Sequence, residues 1–154
     1  MNRLPGAPHG RERFEQLAGS WEGPETMYPS TWVPEGGVAV GRMKNRVALS
    51  GLVLITDYEQ ARGDTITHAG HGVFSFDPEA DLYALHWFDS LGSRPEVFAG
   101  RFDDGILTVS HAGPHLHARL TYDLTEAPYL SSRMAISHDG VAWNTMYDGR
   151  YRRS

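Results

Sequence analysis

The sequence predicts an all-β fold, an antiparallel up-and-down β-barrel of about ten strands with a short N-terminal helix. From Val38 onward, short runs rich in Val, Ile, Leu, Tyr, Phe and Trp recur roughly every 8 to 12 residues, a spacing typical of a barrel or sandwich. Turn residues separate these runs. The pairs Asp104-Gly105 and Asp139-Gly140 favour tight hairpins because they tolerate positive φ. Sequential hairpins in this number favour a barrel that encloses a cavity.

The first elements are a short amphipathic helix and a strand. Apolar residues recur at the helical spacing i, i+3 and i+4, namely Phe14, Leu17 and Ala18. Gly19 ends the helix, and Trp21 begins the first strand. A loop is expected at residues 31–37, which contain one proline and two glycines. Later turns are predicted at residues 49–51, 61–64, 77–81, 90–95, 103–105, 112–114, 125–128 and 138–140.

The composition favours one domain and argues against several classes of protein. The 154 residues suit a single domain at residues 11–154, preceded by a flexible tail at residues 1–10. The net charge is −5, with 14 basic side chains scattered among 19 acidic ones, which argues against a nucleic-acid partner. The absence of cysteine excludes disulfides and thiolate metal sites. Residues 1–10 contain no apolar run, so we expect no signal peptide, no membrane partner and a cytoplasmic protein.

Several short segments carry a resemblance to known barrel proteins: Gly19-x-Trp21-x-Gly23 followed by Tyr28-Pro29, residues 71–74, 86–90 and 137–140, and Tyr151. The first segment resembles the N-terminal motif of the calycin superfamily, which holds lipocalins and fatty-acid-binding proteins. Extended through Tyr28-Pro29, the first segment is most similar to the nitrobindin branch and to a related family of uncharacterised bacterial barrels. The later segments match this related family, and the resemblance covers residues 12–152. This resemblance implies a calycin-like barrel with a cavity and leaves its ligand open. It also implies that Trp21 closes one end, with Arg150 or Arg152 stacked over it.

Strand alternation assigns one face of the sheet to the interior. Pairing across the predicted turn at residues 77–81 places His71 opposite Trp87 and Ala69 opposite Asp89. Propagation through the later hairpins continues the same face through Glu96, Phe98, Phe102, Val109, His111, Leu120, Tyr122, Met134, Trp143 and Tyr147. This face is mostly apolar on the strand near Leu120, whereas the opposite face there is polar. A slip of one residue would invert the assignment, and the register is weakest before Gly51.

This construction gathers polar and aromatic side chains at one end of the barrel. Two histidines and two carboxylates are the candidate catalytic residues: His71, Asp89, Glu96 and His111. The residues predicted to line a ligand pocket are Tyr58, His71, Tyr83, Trp87, Phe98, Phe102, His111, Tyr122 and Tyr147. An apolar wall with a few convergent polar groups is the usual character of a small-molecule pocket.

No metal site is expected. His115-x-His117 has the spacing of two metal ligands on one strand. However, the face assignment points both side chains outward while His111 points inward. The three ligands that a catalytic zinc site needs therefore do not converge.

No cofactor is expected, and haem is a less favoured alternative. The nitrobindin resemblance implies a haem held by a histidine on a strand close to the C-terminus. Residues 142–153 contain no histidine, and Met146 and Tyr147 are poor substitutes for one. A haem held from another wall, by His71 or His111, stays open.

The leading interpretation is a barrel that binds a small, mostly hydrophobic molecule in its cavity. The alternative is an enzyme in the same cavity, in which a carboxylate beside an imidazole performs acid/base isomerisation or cyclisation of a small natural-product-like substrate. A third class is a purely structural barrel whose own aromatic side chains fill the interior. Homodimerisation through the outer face of a flat strand pair also stays open.

Overall fold

The computed structural model describes residues 7–31, 33–92 and 94–154. Within these residues, helix α1 (Ala7–Leu17) precedes ten strands, and a short 3₁₀ turn at Leu49–Gly51 joins the second strand to the third. The strands are β1 (Gly19–Met27), β2 (Gly37–Ala48), β3 (Val53–Arg62), β4 (Thr65–Asp77), β5 (Leu82–Asp89), β6 (Glu96–Asp103), β7 (Ile106–Ala112), β8 (His117–Asp123), β9 (Leu130–Ser137) and β10 (Asn144–Arg153). Of the tail expected at residues 1–10, positions 7–10 belong to α1 and positions 1–6 lie outside the described residues. No described helix has both the length and the apolar character needed to cross a bilayer.

The ten strands form one closed antiparallel barrel in which neighbours in the sequence are neighbours in the sheet. β1 closes the ring by pairing with β10, so that Trp21 lies opposite Arg153 and Met27 lies opposite Tyr147. The all-β up-and-down barrel and the short helix predicted from the sequence are confirmed.

Helix α1 closes one end of the barrel. Its apolar residues Phe14 and Leu17 are buried against inward side chains of the sheet. The ring of Phe14 meets the ring of Tyr83 edge-on, with the centroids 5.8 Å apart. The carbonyl of Leu17, at the end of the helix, accepts hydrogen bonds from Trp21 Nε1 and Asn45 Nδ2, both at 3.0 Å. This end of the barrel is therefore a packed core.

An arginine of the last strand stacks on Trp21, but it is Arg153. Its guanidinium lies 4.3 Å from the centre of the Trp21 ring and donates to two backbone carbonyls at the end of the helical segment. The expectation of Arg150 or Arg152 was wrong, because side chains alternate along β10 and these two point outward. Both lie over the ring of Tyr129 instead. Arg153 therefore ties β10 to both β1 and the helix.

The register of β4 differs by one residue from the predicted one. Gly72, and not His71, pairs with Trp87. The cause is the connection between β4 and β5, in which Asp77 pairs with Leu82, so that four residues form the loop where the prediction assumed three. A slip of one residue moves a whole strand face from inside to outside. The predicted inward position of His71 was therefore wrong.

Glycine occupies the inward positions of β4 because a tryptophan lies across them. A Cβ at Gly70 would lie 2.0 Å from the indole of Trp87, and one at Gly72 would lie 2.9 Å from it. His71 points outward between these glycines. Its side chain is 52% exposed, and its Nδ1 lies 2.6 Å from Asp57 Oδ1 on the outer wall.

Trp143 also lies outside the barrel, contrary to the predicted face. It precedes β10, with the guanidinium of Arg119 at 3.9 Å from its ring centre and the ring of His117 at 6.5 Å. Both partners belong to the outward face of β8. The irregularity in β10 between Thr145 and Tyr147 explains the error, because alternation does not carry across a bulge. The predicted inward position of Tyr147 itself is observed.

We expect Gly70→Ala to lower the free energy of unfolding by about 1 to 3 kcal/mol, because the added Cβ overlaps the indole of Trp87 and forces it to move. Urea denaturation followed by tryptophan emission measures the loss of stability, and the emission of the folded chain reports the displacement of Trp87. His71→Ala is the matched control: its side chain lies on the outer wall, so stability should change by less than about 0.5 kcal/mol and the emission should not shift. Equal effects of the two substitutions would contradict the observed register.

Candidate functional site

The end of the barrel opposite α1 is called the open end because no described helix covers it, and the barrel interior is called the lumen. Five connections surround this end, those between β1 and β2, β3 and β4, β5 and β6, β7 and β8, and β9 and β10. Most inward side chains near α1 are buried, whereas many at the open end are only partly buried. The partly buried set is His68, Trp87, Glu96, His111, Ala118, Met134, Ile136 and Tyr147. The interior at this end is therefore less completely enclosed than the core at α1.

One histidine–carboxylate pair at the mouth joins β4 to β5. The side chain of Asp89 is 10% exposed and accepts a hydrogen bond from Trp87 Nε1 at 3.3 Å. His68 Nε2 lies 3.9 Å from the same carboxylate, too far for a hydrogen bond, and this buried nitrogen has no partner among the described residues. His68 is thus the inward histidine of β4, a role that the sequence analysis assigned to His71.

A second histidine–carboxylate pair joins β6 to β7. His111 Nδ1 lies 2.9 Å from the backbone carbonyl of Val97, and Nε2 lies 3.5 Å from Glu96 Oε2. Because a carbonyl only accepts, Nδ1 carries a proton and Nε2 is the nitrogen available for proton exchange. The ring of Phe98 lies beside this imidazole, with the centroids 5.5 Å apart. The His111 side chain is 26% exposed, so molecules that enter the mouth can reach it.

Deeper in the lumen, the carboxylate of Glu25 is the centre of a buried hydrogen-bond cluster. Glu25 has an exposed fraction of 0%. The Tyr58 hydroxyl donates to its two oxygens at 2.7 and 2.9 Å, Gln60 Nε2 donates at 2.9 Å, and the Tyr151 hydroxyl also donates. No described lysine or arginine pairs with Glu25. Neutral donors from β3 and β10 therefore stabilise this carboxylate on β1.

With Glu25 ionised, its carboxylate only accepts, and this sets the direction of each hydrogen bond in the cluster. Tyr58 and Tyr151 each give their single proton to it. Ser132 Oγ, 3.0 Å from the Tyr151 hydroxyl, must then be the donor in that contact. Gln60 Nε2 also donates to the Tyr58 oxygen at 3.2 Å. The two phenols that hold Glu25 therefore have only oxygen lone pairs left to offer.

Burial raises the pKa of the phenols inside the barrel. It is the largest cause for Tyr58, Tyr122, Tyr147 and Tyr151, and the negative charge of Glu25 raises the pKa of all four further. At the closed end, burial raises the pKa of Tyr83 to about 12. These side chains stay neutral at physiological pH, so they act there as hydrogen-bonding and aromatic groups.

Tyr58 links the mouth to the buried cluster. Its hydroxyl holds Glu25, while its ring lies 5.9 Å from the ring of His68 and 6.5 Å from that of Trp87. The polar groups of the mouth and the buried carboxylate therefore belong to one continuous wall.

Most of the predicted pocket residues and candidate catalytic residues point into the barrel. At the open end and the middle these are Tyr58, Trp87, Asp89, Glu96, Phe98, His111, Tyr122 and Tyr147. Tyr83 and Phe102 also point inward but pack against each other and against Phe14 near α1, with the Tyr83 and Phe102 ring centroids 6.0 Å apart. These two belong to the closed-end core, away from the mouth. His71 lies on the outer wall.

The sequence reasoning missed Glu25, Gln60, Tyr151 and His68. Glu25 was missed because the face construction started at β4 and had no secure register before Gly51. A usable signal did exist, since Glu25 lies four residues after Trp21 on the same strand and therefore on the same face. Had that face been assigned to the interior through Trp21, an inward carboxylate would have followed.

Strand β10 offers no histidine for the haem that the nitrobindin resemblance implied. No group of three or more His, Asp or Glu side chains in the described part of the chain could hold a metal ion. The inward residue of β10 at the level of Met27 is Tyr147, which lies beside Tyr58 and the buried carboxylate. β10 thus contributes a phenol where the resemblance calls for a histidine.

The family model described as a protein of unknown function, DUF1579, matches residues 5–153. The chain belongs to the DUF1579 family. The crystal structure of Rv2717c from M. tuberculosis is similar, with a TM-score of 0.73 and 13% identity over 99% of both chains. A DUF3598 family protein of unknown function from Nostoc punctiforme PCC 73102 gives a TM-score of 0.61 and 10% identity over 92% of this chain and 49% of that one. At these identities the likeness shows the fold alone, and no curated protein matches the chain.

We expect this DUF1579 barrel to lose stability as the pH rises above about 10. The folded-state pKa values of Tyr58, Tyr83, Tyr122, Tyr147 and Tyr151 lie above the ordinary value. The folded chain therefore keeps protons that the unfolded chain releases. The stability that these phenols contribute is complete below about pH 10 and is lost as the pH rises through their folded-state values.

Tyrosinate absorbance and far-UV circular dichroism, recorded together across this alkaline range, measure the effect. The absorbance change of the buried phenols should coincide with unfolding. The same chain in concentrated urea serves as the control and should titrate near pH 10 throughout. Ionisation of these phenols in a barrel that keeps its β signal would show that they are not held as described.

Proposed function

We propose that the barrel binds a small, mostly hydrophobic molecule in the open half of its lumen. The observation that carries this proposal is the contrast between the two halves. Most inward side chains near α1 are buried in a packed core, whereas apolar inward side chains at the open end, such as Trp87, Met134 and Tyr147, keep partial contact with solvent. Apolar surface that faces a lumen gains free energy when a ligand removes it from water.

The mouth supplies polar groups that can orient such a molecule. His68 with Asp89 and His111 with Glu96 are contributed by the strands β4 to β7, around the rim of the lumen. A few polar groups in an otherwise apolar pocket fix the orientation of a ligand and make binding selective. A cytoplasmic location, homodimerisation and the absence of nucleic-acid partners stay predictions from the sequence.

We expect Ala118→Phe to weaken binding of the neutral apolar probe N-phenyl-1-naphthylamine by about tenfold or more, because the new ring occupies the lumen. Ala118 points inward, half-buried, between His111 on β7 and Ile136 on β9. Fluorescence titration of the probe measures the affinity.

Ala99→Phe is the matched control for this substitution. Ala99 is exposed on the outer face of β6, so the same added ring should leave the affinity within about twofold. Equal losses in the two variants would place the probe outside the lumen. No binding by the unchanged chain of this probe, or of other apolar molecules of similar size, would refute the proposal.

An enzyme in the same lumen is the second candidate, and the His111–Glu96 pair favours it. The Val97 carbonyl fixes the proton on Nδ1, which leaves Nε2 beside a carboxylate at 3.5 Å as a group that can accept or return a proton. This arrangement suits isomerisation or cyclisation of a bound molecule, in which one group moves a proton between two positions.

We expect His111→Asn to separate the two candidates. For an enzyme, the substitution should lower the turnover of a bound compound by about a hundredfold or more while its affinity changes little. Product analysis by mass spectrometry and calorimetric titration measure the two quantities. A compound that binds to both forms of the chain and is released unchanged would support a carrier. If turnover and affinity fall by the same factor, His111 takes no part in the chemistry.

A further inference from the structure

The charged side chains that point into the open half of the lumen are carboxylates. Glu25 lies at its floor, and Asp89 and Glu96 lie at its mouth. Among the described residues, none of the three forms an ion pair with lysine or arginine. Arg62, at the rim end of β3, donates to the carbonyl of Gly36 at 2.8 Å instead. Only His68 and His111, at the mouth, lie beside these carboxylates among the described basic residues, and Glu25 has no described basic side chain beside it.

The aromatic rings of the open lumen also lack a cation. Elsewhere in the molecule, arginine guanidinium groups lie over the rings of Trp21, Phe102, Tyr129 and Trp143. In the described part of the chain, no such group lies over the lumen rings Tyr58, Trp87, Tyr122 and Tyr147. Ring faces with negative electrostatic character attract cations, and most strongly where water is excluded.

The hydrogen bonds at the floor of the lumen also point toward the Glu25 carboxylate. Tyr58 and Tyr151 have given their protons to Glu25, so neither phenol has a proton to donate to a ligand. At the mouth, the buried Nε2 of His68 has no described partner and lies 3.9 Å from Asp89. Charge and ring faces thus both favour a ligand that brings a positive charge, and the phenols at the floor offer no proton to an anion.

We propose that the lumen selects small apolar molecules that carry a protonated amine, and that it disfavours apolar carboxylates such as fatty acids. This inference rests on the proposed function, since it specifies the polar end of the molecule that the lumen binds. The ammonium group would lie among the aromatic rings between the mouth and Glu25, where the field of a buried carboxylate is weakly screened. The apolar body would occupy the space beside Trp87, Ala118 and Met134.

The test compares three probes that share one apolar body and differ in charge: 2-naphthylmethylamine, 2-naphthylmethanol and 2-naphthoate, each titrated calorimetrically at neutral pH. The amine is expected to bind about tenfold or more tightly than the alcohol, and the carboxylate more weakly than either. Raising the salt concentration should change this order little, because the floor charge is buried.

Substitution of the floor carboxylate shows whether Glu25 sets the preference. Glu25→Gln should bring the affinity for the amine to within about threefold of that for the alcohol, because the charge is removed and the side-chain shape is kept. Glu59→Gln is the matched control, since it removes the same charge from an exposed position on the outer face of β3. The control should keep the preference for the amine.

Because Glu25 accepts from three buried donors, its variant is first checked for folding by circular dichroism. The double substitution Asp89→Asn with Glu96→Gln gives a second reading at the mouth and should also reduce the preference for the amine. If the alcohol binds and the amine binds no more tightly than the carboxylate, this inference is wrong while the proposed function stands. If none of the three probes binds, both are refuted for this class of molecule. A preference that survives in Glu25→Gln and in the mouth variant would refute the assignment to these carboxylates.

Discussion

The buried carboxylate of Glu25 is the constraint on which the interior of this barrel depends. Removing a carboxylate from water costs several kcal/mol unless donors replace the lost hydration. Here Tyr58, Gln60 and Tyr151 supply those donors, from strands on both sides of β1. Their hydrogen bonds all converge on the Glu25 carboxylate, and the wall of the barrel around Glu25 is polar for this reason. Replacing the cluster with apolar residues would be compatible with the same fold but not with the same interior.

The two halves of the barrel differ in how completely their inward side chains are buried. Near α1, Phe14, Leu17 and Trp21 complete a buried apolar core. At the other end, no described helix covers the inward side chains, and many of them keep contact with solvent. Tyr58 belongs to the core and also contacts the rings of His68 and Trp87 at the open end.

How much the sequence could predict depended on the turns. From β6 to β8 the alternation placed Glu96, Phe98, His111 and Tyr122 correctly, and the β6–β7 hairpin is tight, with Asp103 paired to Ile106. It failed at β4, where one extra loop residue exchanged His71 for glycines, and at β10, where a bulge breaks the alternation before Tyr147. Single-residue changes in a loop or a bulge have no periodic signature in a sequence. Glu25 escaped notice for a different reason, since it lies before Gly51, where the face construction had no secure register.

The seam between β1 and β10 has a consequence for how the molecule is made. Arg153 contacts the end of the helical segment 135 positions earlier in the chain, and the ring of strands has no free edge only after β10 has paired with β1. Until then, an emerging chain presents two unpaired strand edges and an incompletely filled interior, the state most prone to association with other chains. Closure of the ring therefore requires β10 and depends on contacts of the greatest sequence separation, which form slowly. The guanidinium of Arg153, which is stacked on Trp21, links β10 to β1 and to the helix. It therefore stabilises the closed ring.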